Sequence, residues 1–147
     1  MTRPRRSYQV GADFRTALRR FARKTDEICR LHGLTAEQYT LLLMIKGAPD
    51  RSEQAAVGDL ARRLELAQNG VVERVQRAAE AGLVVRTRSD VDRRVSLVRL
   101  TPDGERRLAA AFADLGAESD RLIRLVADVD REDRRRSPRD EEPRASS

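Results

Sequence analysis

The chain has no tryptophan, one cysteine and one histidine among its 147 residues, and aromatic residues make up only 3%. Each scarcity removes a class of protein. A lone Cys29 cannot form an intrachain disulfide, and with His32 as its only soft companion it cannot build a structural zinc site. No metal site and no cofactor are therefore expected. A core short of aromatics has to be aliphatic and helical in character. No apolar run approaches the ~18 residues of a membrane span. The opening Met1-Thr-Arg-Pro-Arg-Arg has no apolar stretch behind it, so no secretory signal is expected and the location read is cytoplasmic.

Lysine is also scarce. The chain carries 30 basic residues and a net charge of +6, yet only Lys24 and Lys46 are lysine. Arginine in such excess suits bidentate recognition of phosphate. It follows as readily from a GC-rich genome, so placement matters more than number.

The length suits one domain with a tail. Residues 1–7 read as a basic flexible arm. A first helix is predicted over about Tyr8 to Leu31, with Phe14, Leu18, Phe21, Ala22, Ile28 and Cys29 on one stripe. His32-Gly33 ends it, Gly33 serving as a left-handed cap and His32 as its partner. Thr35-Ala-Glu-Gln38 is a capping box, with Leu34 and Tyr39 as the hydrophobic staple. The second helix runs to about Lys46 and breaks at Gly47 and Pro49. Arg51 to Ala56 reads as a polar connection.

A short third helix covers Val57 to Leu64, with Leu60, Ala61 and Leu64 inward. Glu65 to Ala67 is a tight turn, and a fourth helix follows from about Gln68 to Ala81, closed by Gly82. Leu83 to Arg88 and Val95 to Leu100 are rich in Val and Leu and read as a hairpin. The loop between them, beginning at Ser89, carries Asp92, Arg93 and Arg94. Thr101-Pro102-Asp103 starts a last helix. Leu108, Phe112, Leu115, Ser119, Leu122, Val126 and Val129 then follow in heptad steps. Gly116 leaves one long helix or two shorter ones open. Residues 134–147 are read as a disordered charged tail.

Helix, turn, helix and a hairpin with a basic tip is the order of a winged helix-turn-helix. Several pieces resemble the MarR family of bacterial transcription regulators: Leu34-Thr-Ala-Glu-Gln38, Val57-Gly-Asp-Leu-Ala61, Ala81-Gly-Leu-Val84, Asp92-Arg-Arg94 and Leu97-Val-Arg-Leu-Thr-Pro-Asp-Gly104. The resemblance spans about half the chain. It implies a mainly α fold with a small β-hairpin wing. The winged helix-turn-helix would occupy about 34–101 of a domain over 8–133, flanked by dimerisation helices at about 8–32 and 102–131. It also implies a homodimer, for which Phe14, Leu18, Leu115, Leu122, Val126 and Val129 are the candidate interface. A small-molecule effector is a further implied partner.

The partner expected is double-stranded DNA with a pseudo-palindromic operator, bound by a repressor. Gln68 and Asn69 open the recognition helix, where an amide pairs bidentately with adenine. Gly70 lets the backbone approach closely, and Glu73 can accept from cytosine. Arg77 suits a phosphate, and Arg74 either snorkels from a semi-buried position or serves a phosphate. In the wing, Arg93 and Arg94 suit a narrow minor groove. The resemblance singles out Arg94, with Asp92 as its orienter, while Arg86 and Arg88 are candidate phosphate contacts.

Four positions depart from the family pattern. Ala67 stands where Ser or Thr often caps the recognition helix, losing ~1 kcal/mol. Gly70 and Val72 replace Ser or Thr, and Arg74 replaces Leu. Ala67, Gly70 and Arg74 motivate a second reading, a dimeric protein-interaction module of the same fold without specific DNA binding. A helical enzyme ranks far lower, since no nucleophile motif or phosphate loop is present. Cys29, on the apolar stripe, reads as a small hydrophobe rather than a redox sensor.

Overall fold

The computed structural model describes residues 8–136. The elements are α1 (Tyr8–Leu31), α2 (Ala36–Lys46), β1 (Gln54–Ala56), α3 (Val57–Leu64), α4 (Gln68–Glu80), β2 (Val84–Arg88), β3 (Ser96–Leu100) and α5 (Pro102–Arg136). They divide into two compact units, residues 25–115 and a second made of residues before 25 and after 115. The expected arm at 1–7 and most of the expected tail, residues 137–147, lie outside the described residues. No helix among the described residues is long and apolar enough to cross a membrane.

Local capping chemistry sets most boundaries in the unit 25–115. Gly33 (φ 70°) takes the left-handed position after α1. The Leu34 amide donates to the Cys29 carbonyl at 2.9 Å and the Gly33 amide to Arg30 at 3.1 Å, a Schellman motif. At the start of α2 the Gln38 amide donates to Thr35 Oγ1 and the Thr35 amide to Gln38 Oε1, both at 3.0 Å. The staple residues Leu34 and Tyr39 are buried. Gly82 (φ 75°) closes α4 in the same way as Gly33 closes α1.

α3 ends differently. Its left-handed cap is Glu65 (φ 54°), not glycine. The Leu66 amide still reaches the Ala61 carbonyl at 3.0 Å, so a Schellman turn forms on a residue with a Cβ penalty.

The core of this unit is aliphatic, as the composition implied. Leu41, Leu42 and Ile45 of α2 meet Leu60 of α3, Val71, Val75 and Ala78 of α4, and Val98 of β3, all essentially inaccessible. α2 is apolar around its circumference because α3, α4 and the sheet all pack on it. Leu108, Ala111 and Leu115 of α5 complete the core. Cys29 is fully buried within it. Phe112, a member of the heptad set read from the sequence, is 58% exposed. The inward face of this part of α5 runs through 104, 108, 111 and 115, and Phe112 falls off it.

The sheet has three antiparallel strands in the order β1-β3-β2. The hairpin of β2 and β3 was legible, with Val84 opposite Leu100 and Arg88 opposite Ser96. β1 was not: the expected polar connection pairs Ala55 with Val98 as an edge strand. Two of its three residues are alanine, with little strand preference of their own. Burial of Ala55 beside Val98 draws the segment into the sheet. Lys46 reaches Glu53 at 2.8 Å and Glu105 at 3.0 Å, tying the segment before β1 to α2 and α5.

His32 is not a partner of the Gly33 cap. Its Nε2 lies 2.6 Å from Asp114 Oδ2 on α5, a contact between residues 82 apart in sequence.

In the second unit, Val10, Phe14, Ala17, Leu18 and Phe21 form the half-buried stripe of α1. On α5, Leu122, Leu125 and Val129 are half-buried, while Ile123 is 65% and Val126 46% exposed. The last helix carries no break at Gly116 and continues to Arg136, past the expected end near 131. Arg134 pairs with Asp130 at 2.9 Å one turn back, so residues expected in the tail still follow helical spacing.

Candidate nucleic-acid interface

Two features of the unit 25–115 carry the predicted site residues: the outer face of α4 and the β2–β3 wing. α4 buries Val71, Val75 and Ala78 and leaves Gln68, Asn69, Glu73, Gln76 and Arg77 exposed. Its cap residue Ala67 makes no side-chain hydrogen bond. The helix start therefore has no side-chain acceptor of its own at the cap for its first amides. A Cβ added to Gly70 would meet no atom within 4 Å, so its surface is open to close approach. Gln68 leans back over α3, where its Nε2 would lie 3.5 Å from a Cβ built on Gly58.

Gln76 was missed by sequence reasoning. It follows Asn69 and Glu73 along the same outer face, and its amide reaches Glu80 at 3.4 Å. The i, i+3, i+4 spacing from Asn69 was the signal that could have found it.

Arg74 and Arg77 behave differently from the rest of that face. Arg74 Nε lies 2.8 Å from Glu37 Oε1, and Arg77 Nη2 lies 3.6 Å from the same oxygen. Arg74 is half-buried and lies along α2, which accords with a semi-buried arginine that keeps its head at the surface.

The wing is braced from within. The Ser89 hydroxyl accepts from the Val91 amide at 3.2 Å and the Asp92 amide at 3.3 Å. The Ser89 amide donates to Val95 O and the Val95 amide to Asp92 O, closing the loop. Arg88 donates to the Arg93 carbonyl at 2.9 Å, so this arginine supports the tip. Arg86 leans on Ser96 Oγ across the hairpin at 3.4 Å. Ser89 and the inward role of Arg88 were not foreseen from sequence.

Asp92 and Arg94 form a two-point pair. Arg94 Nε donates to Asp92 Oδ1 at 3.1 Å and Nη2 to Oδ2 at 3.2 Å, and the Arg94 amide also donates to Oδ1 at 3.1 Å. These hydrogen bonds, first from the guanidinium and then from the amide, hold the Asp92 carboxyl below the usual carboxylate range. The Arg94 side chain is nonetheless 91% exposed. It is a guanidinium held in one orientation with its outer edge open. Arg93 beside it is exposed.

Arg63 on α3 serves the fold, donating to the Met44 carbonyl at 2.7 Å and Gly47 at 3.4 Å at the end of α2. Among the described residues, no group of three or more His, Cys, Asp or Glu could hold a metal ion.

The order of elements, the capping box and the Asp92–Arg94 wing meet a matching family model. Residues 32–95 fit the model of the MarR family. A Thauera aromatica protein described as a transcriptional regulatory protein for the hcr operon is 34% identical over 93 residues, 63% of this chain and 52% of that one. This chain thus spans about half the length of that relative. A Cys-to-Ser mutant of MarR from E. coli, crystallised with operator DNA, superposes with a TM-score of 0.69 at 20% identity, covering 89% of this chain and 95% of the other. AbsC, a MarR family transcriptional regulator from Streptomyces coelicolor, gives 0.70 at 20% identity, covering 93% and 95%. At that identity these likenesses establish the fold: mainly helical, with the three-stranded antiparallel sheet of a winged helix. The MarR family match and the fold agree from α2 through the wing loop.

Proposed function

We propose that this chain is a member of the MarR family and a homodimeric, sequence-specific DNA-binding transcription regulator acting as a repressor in the cytoplasm. The observation that carries the reading is Arg94: a fully presented guanidinium, oriented by Asp92 at the tip of a hairpin braced through Ser89 and Arg88. An arginine with that exposure and a fixed orientation suits a narrow minor groove, where the negative potential is strongest. α4 would lie in the major groove, with Gln68 and Asn69 toward base edges, Gly70 permitting close approach, and Glu73 and Gln76 along the same face.

Two copies related by two-fold symmetry would read a pseudo-palindrome with half-sites about one helical turn apart. The stripes on α1 and on α5 beyond Gly116 are the proposed dimer contacts, through Phe14, Leu18, Leu122, Val126 and Val129. Leu115 belongs to the same heptad set, but it is buried in the core of its own unit. Its proposed share in the interface is therefore indirect, through the seating of α5. A small-molecule effector would act by binding two spacings of the paired α4 helices with unequal affinity.

The deciding experiment is a gel-shift or anisotropy titration against the DNA upstream of the protein's own gene, with a mixed-sequence duplex as control. Tight binding to the former, abolished by Arg94→Ala, supports the regulator. Equal, weak and strongly salt-sensitive binding to both duplexes supports the second reading, a protein-interaction module. That reading draws on the uncapped start of α4 at Ala67 and on the engagement of Arg74 by Glu37.

A further inference from the structure

Glu37 sits in the first turn of α2, where the helix dipole favours a carboxylate. It takes no part in the capping box, which Thr35 and Gln38 complete between themselves. Its Oε1 instead faces α4, 2.8 Å from Arg74 Nε and 3.6 Å from Arg77 Nη2. With Thr35, Gln38 and Leu41 these three side chains line a hollow of about 120 Å³. The hollow opens to solvent, and the Glu37 and Arg77 side chains are 43% and 58% exposed.

We propose that Glu37 is an internal competitor for DNA phosphate: it draws Arg74 and Arg77 onto one carboxylate oxygen and thereby lowers the affinity and salt sensitivity of DNA binding. The inference rests on the DNA-binding reading above and identifies a residue that tunes it.

The chemistry is a direct competition. Carboxylate and phosphate oxygens accept from a guanidinium fork in similar geometry. An exposed ion pair of this kind contributes little in water, so phosphate can displace it. The displaced carboxylate nevertheless stays beside the arginines and repels the incoming phosphate. Arg74 and Arg77 lie one turn apart on α4, so a single carboxylate serves both. Removing its charge restores a full positive charge to the flank of α4.

The test compares wild type with Glu37→Gln on two labelled duplexes, the upstream region and a mixed sequence, over a range of salt. Every further phosphate that the protein neutralises steepens the slope of log K against log salt by about 0.9. Glu37→Gln is expected to tighten binding to both duplexes by roughly three- to tenfold at low salt, with a slope steeper by about one neutralised phosphate. Adding Arg77→Ala to Glu37→Gln is expected to remove most of the improvement. A thermal melt of each variant checks folding, and Glu37→Ser, which also removes the charge and suits a first turn, is the second variant.

Unchanged or weakened binding by a folded charge-removing variant would overturn the proposal. If wild type binds its upstream region specifically while Glu37→Gln matches it on both duplexes, only the role of Glu37 falls. If wild type binds neither duplex at low salt, the DNA-binding reading falls and this one with it.

Discussion

A Cβ placed on Gly104 would lie 2.1 Å from the carbonyl oxygen of Leu83. The first turn of α5 is seated directly on the backbone that leaves α4. The same carbonyl accepts the Thr101 amide at 3.0 Å, and the Thr101 hydroxyl donates to Gly82 O while accepting from the Gly104 amide. Gly104→Ala should therefore force the helix start off its seat and break part of this set. The expected loss is about 2–3 kcal/mol, the scale of overpacking a tight contact, read as a lower urea midpoint with little change in slope. A variant as stable as wild type would show that the helix can move at no cost.

Glu65 offers the opposite test. A non-glycine residue at φ 54° bears a left-handed penalty of roughly 1 kcal/mol. Glu65→Gly should relieve it and raise the melting temperature by a few degrees, offset slightly by the greater freedom of glycine in the unfolded chain. Calorimetry decides; a lowered transition would mean that the Glu65 side chain contributes more than its backbone strain costs.

The wing should respond to acid in a defined direction. The folded-state pKa of Asp92 is depressed by Arg94, so the brace is complete above the ordinary aspartate range and is lost as pH falls through the lowered value. NMR titration of the Asp92 carboxyl should place its midpoint below that of an exposed aspartate, and Arg94→Ala should raise it, though not fully, because the amide of residue 94 still donates to Oδ1. A midpoint insensitive to Arg94 would remove the orienting role of Asp92.

Cys29 should be inert in the folded protein. Burial first, and then the nearby Asp26, push its thiol pKa up, and thiolate is the reactive form. Modification by a thiol reagent should be slow in buffer and fast in denaturant. The sign on stability follows: the thiol stays neutral in the folded state while the unfolded one ionises, so stability falls as pH rises through and above the ordinary thiol range. Fast labelling of native protein would contradict this burial.

The dimer proposal is tested on α5. Leu122 lies on the half-buried stripe of its helix, and Leu122→Asp should yield monomer or unfolded protein in sedimentation. A folded dimer at the same concentration would place the interface elsewhere.

Helix ends were legible because capping acts within a few residues. Thr35 and Gln38, Gly33, Gly82 and Thr101-Pro102 each fulfil locally the role their spacing predicts. The Asp92–Arg94 pair was legible because a carboxylate in a basic loop orients an arginine better than it meets phosphate, and the family resemblance singled out Arg94. Partners from distant elements were not. His32 stands beside Gly33 in the chain, yet its partner is Asp114. Local sequence left Arg74 between a semi-buried position and a phosphate and assigned Arg77 to a phosphate; it gave no sign of Glu37 on α2, whose Oε1 lies 2.8 Å from Arg74 and 3.6 Å from Arg77. β1 carries no alternation of its own and exists through its pairing with β3.

The amino-acid sequence by itself determined the order of helices and hairpin, their caps and the aliphatic character of the core, because periodicity and short-range hydrogen bonding set these. Tertiary structure alone decided which charges of the α4 flank stand free, which glycine must lack a side chain and which residues form the third strand. Those outcomes depend on packing between segments that no local pattern connects, where desolvation, close contact and opposite charge select the partner.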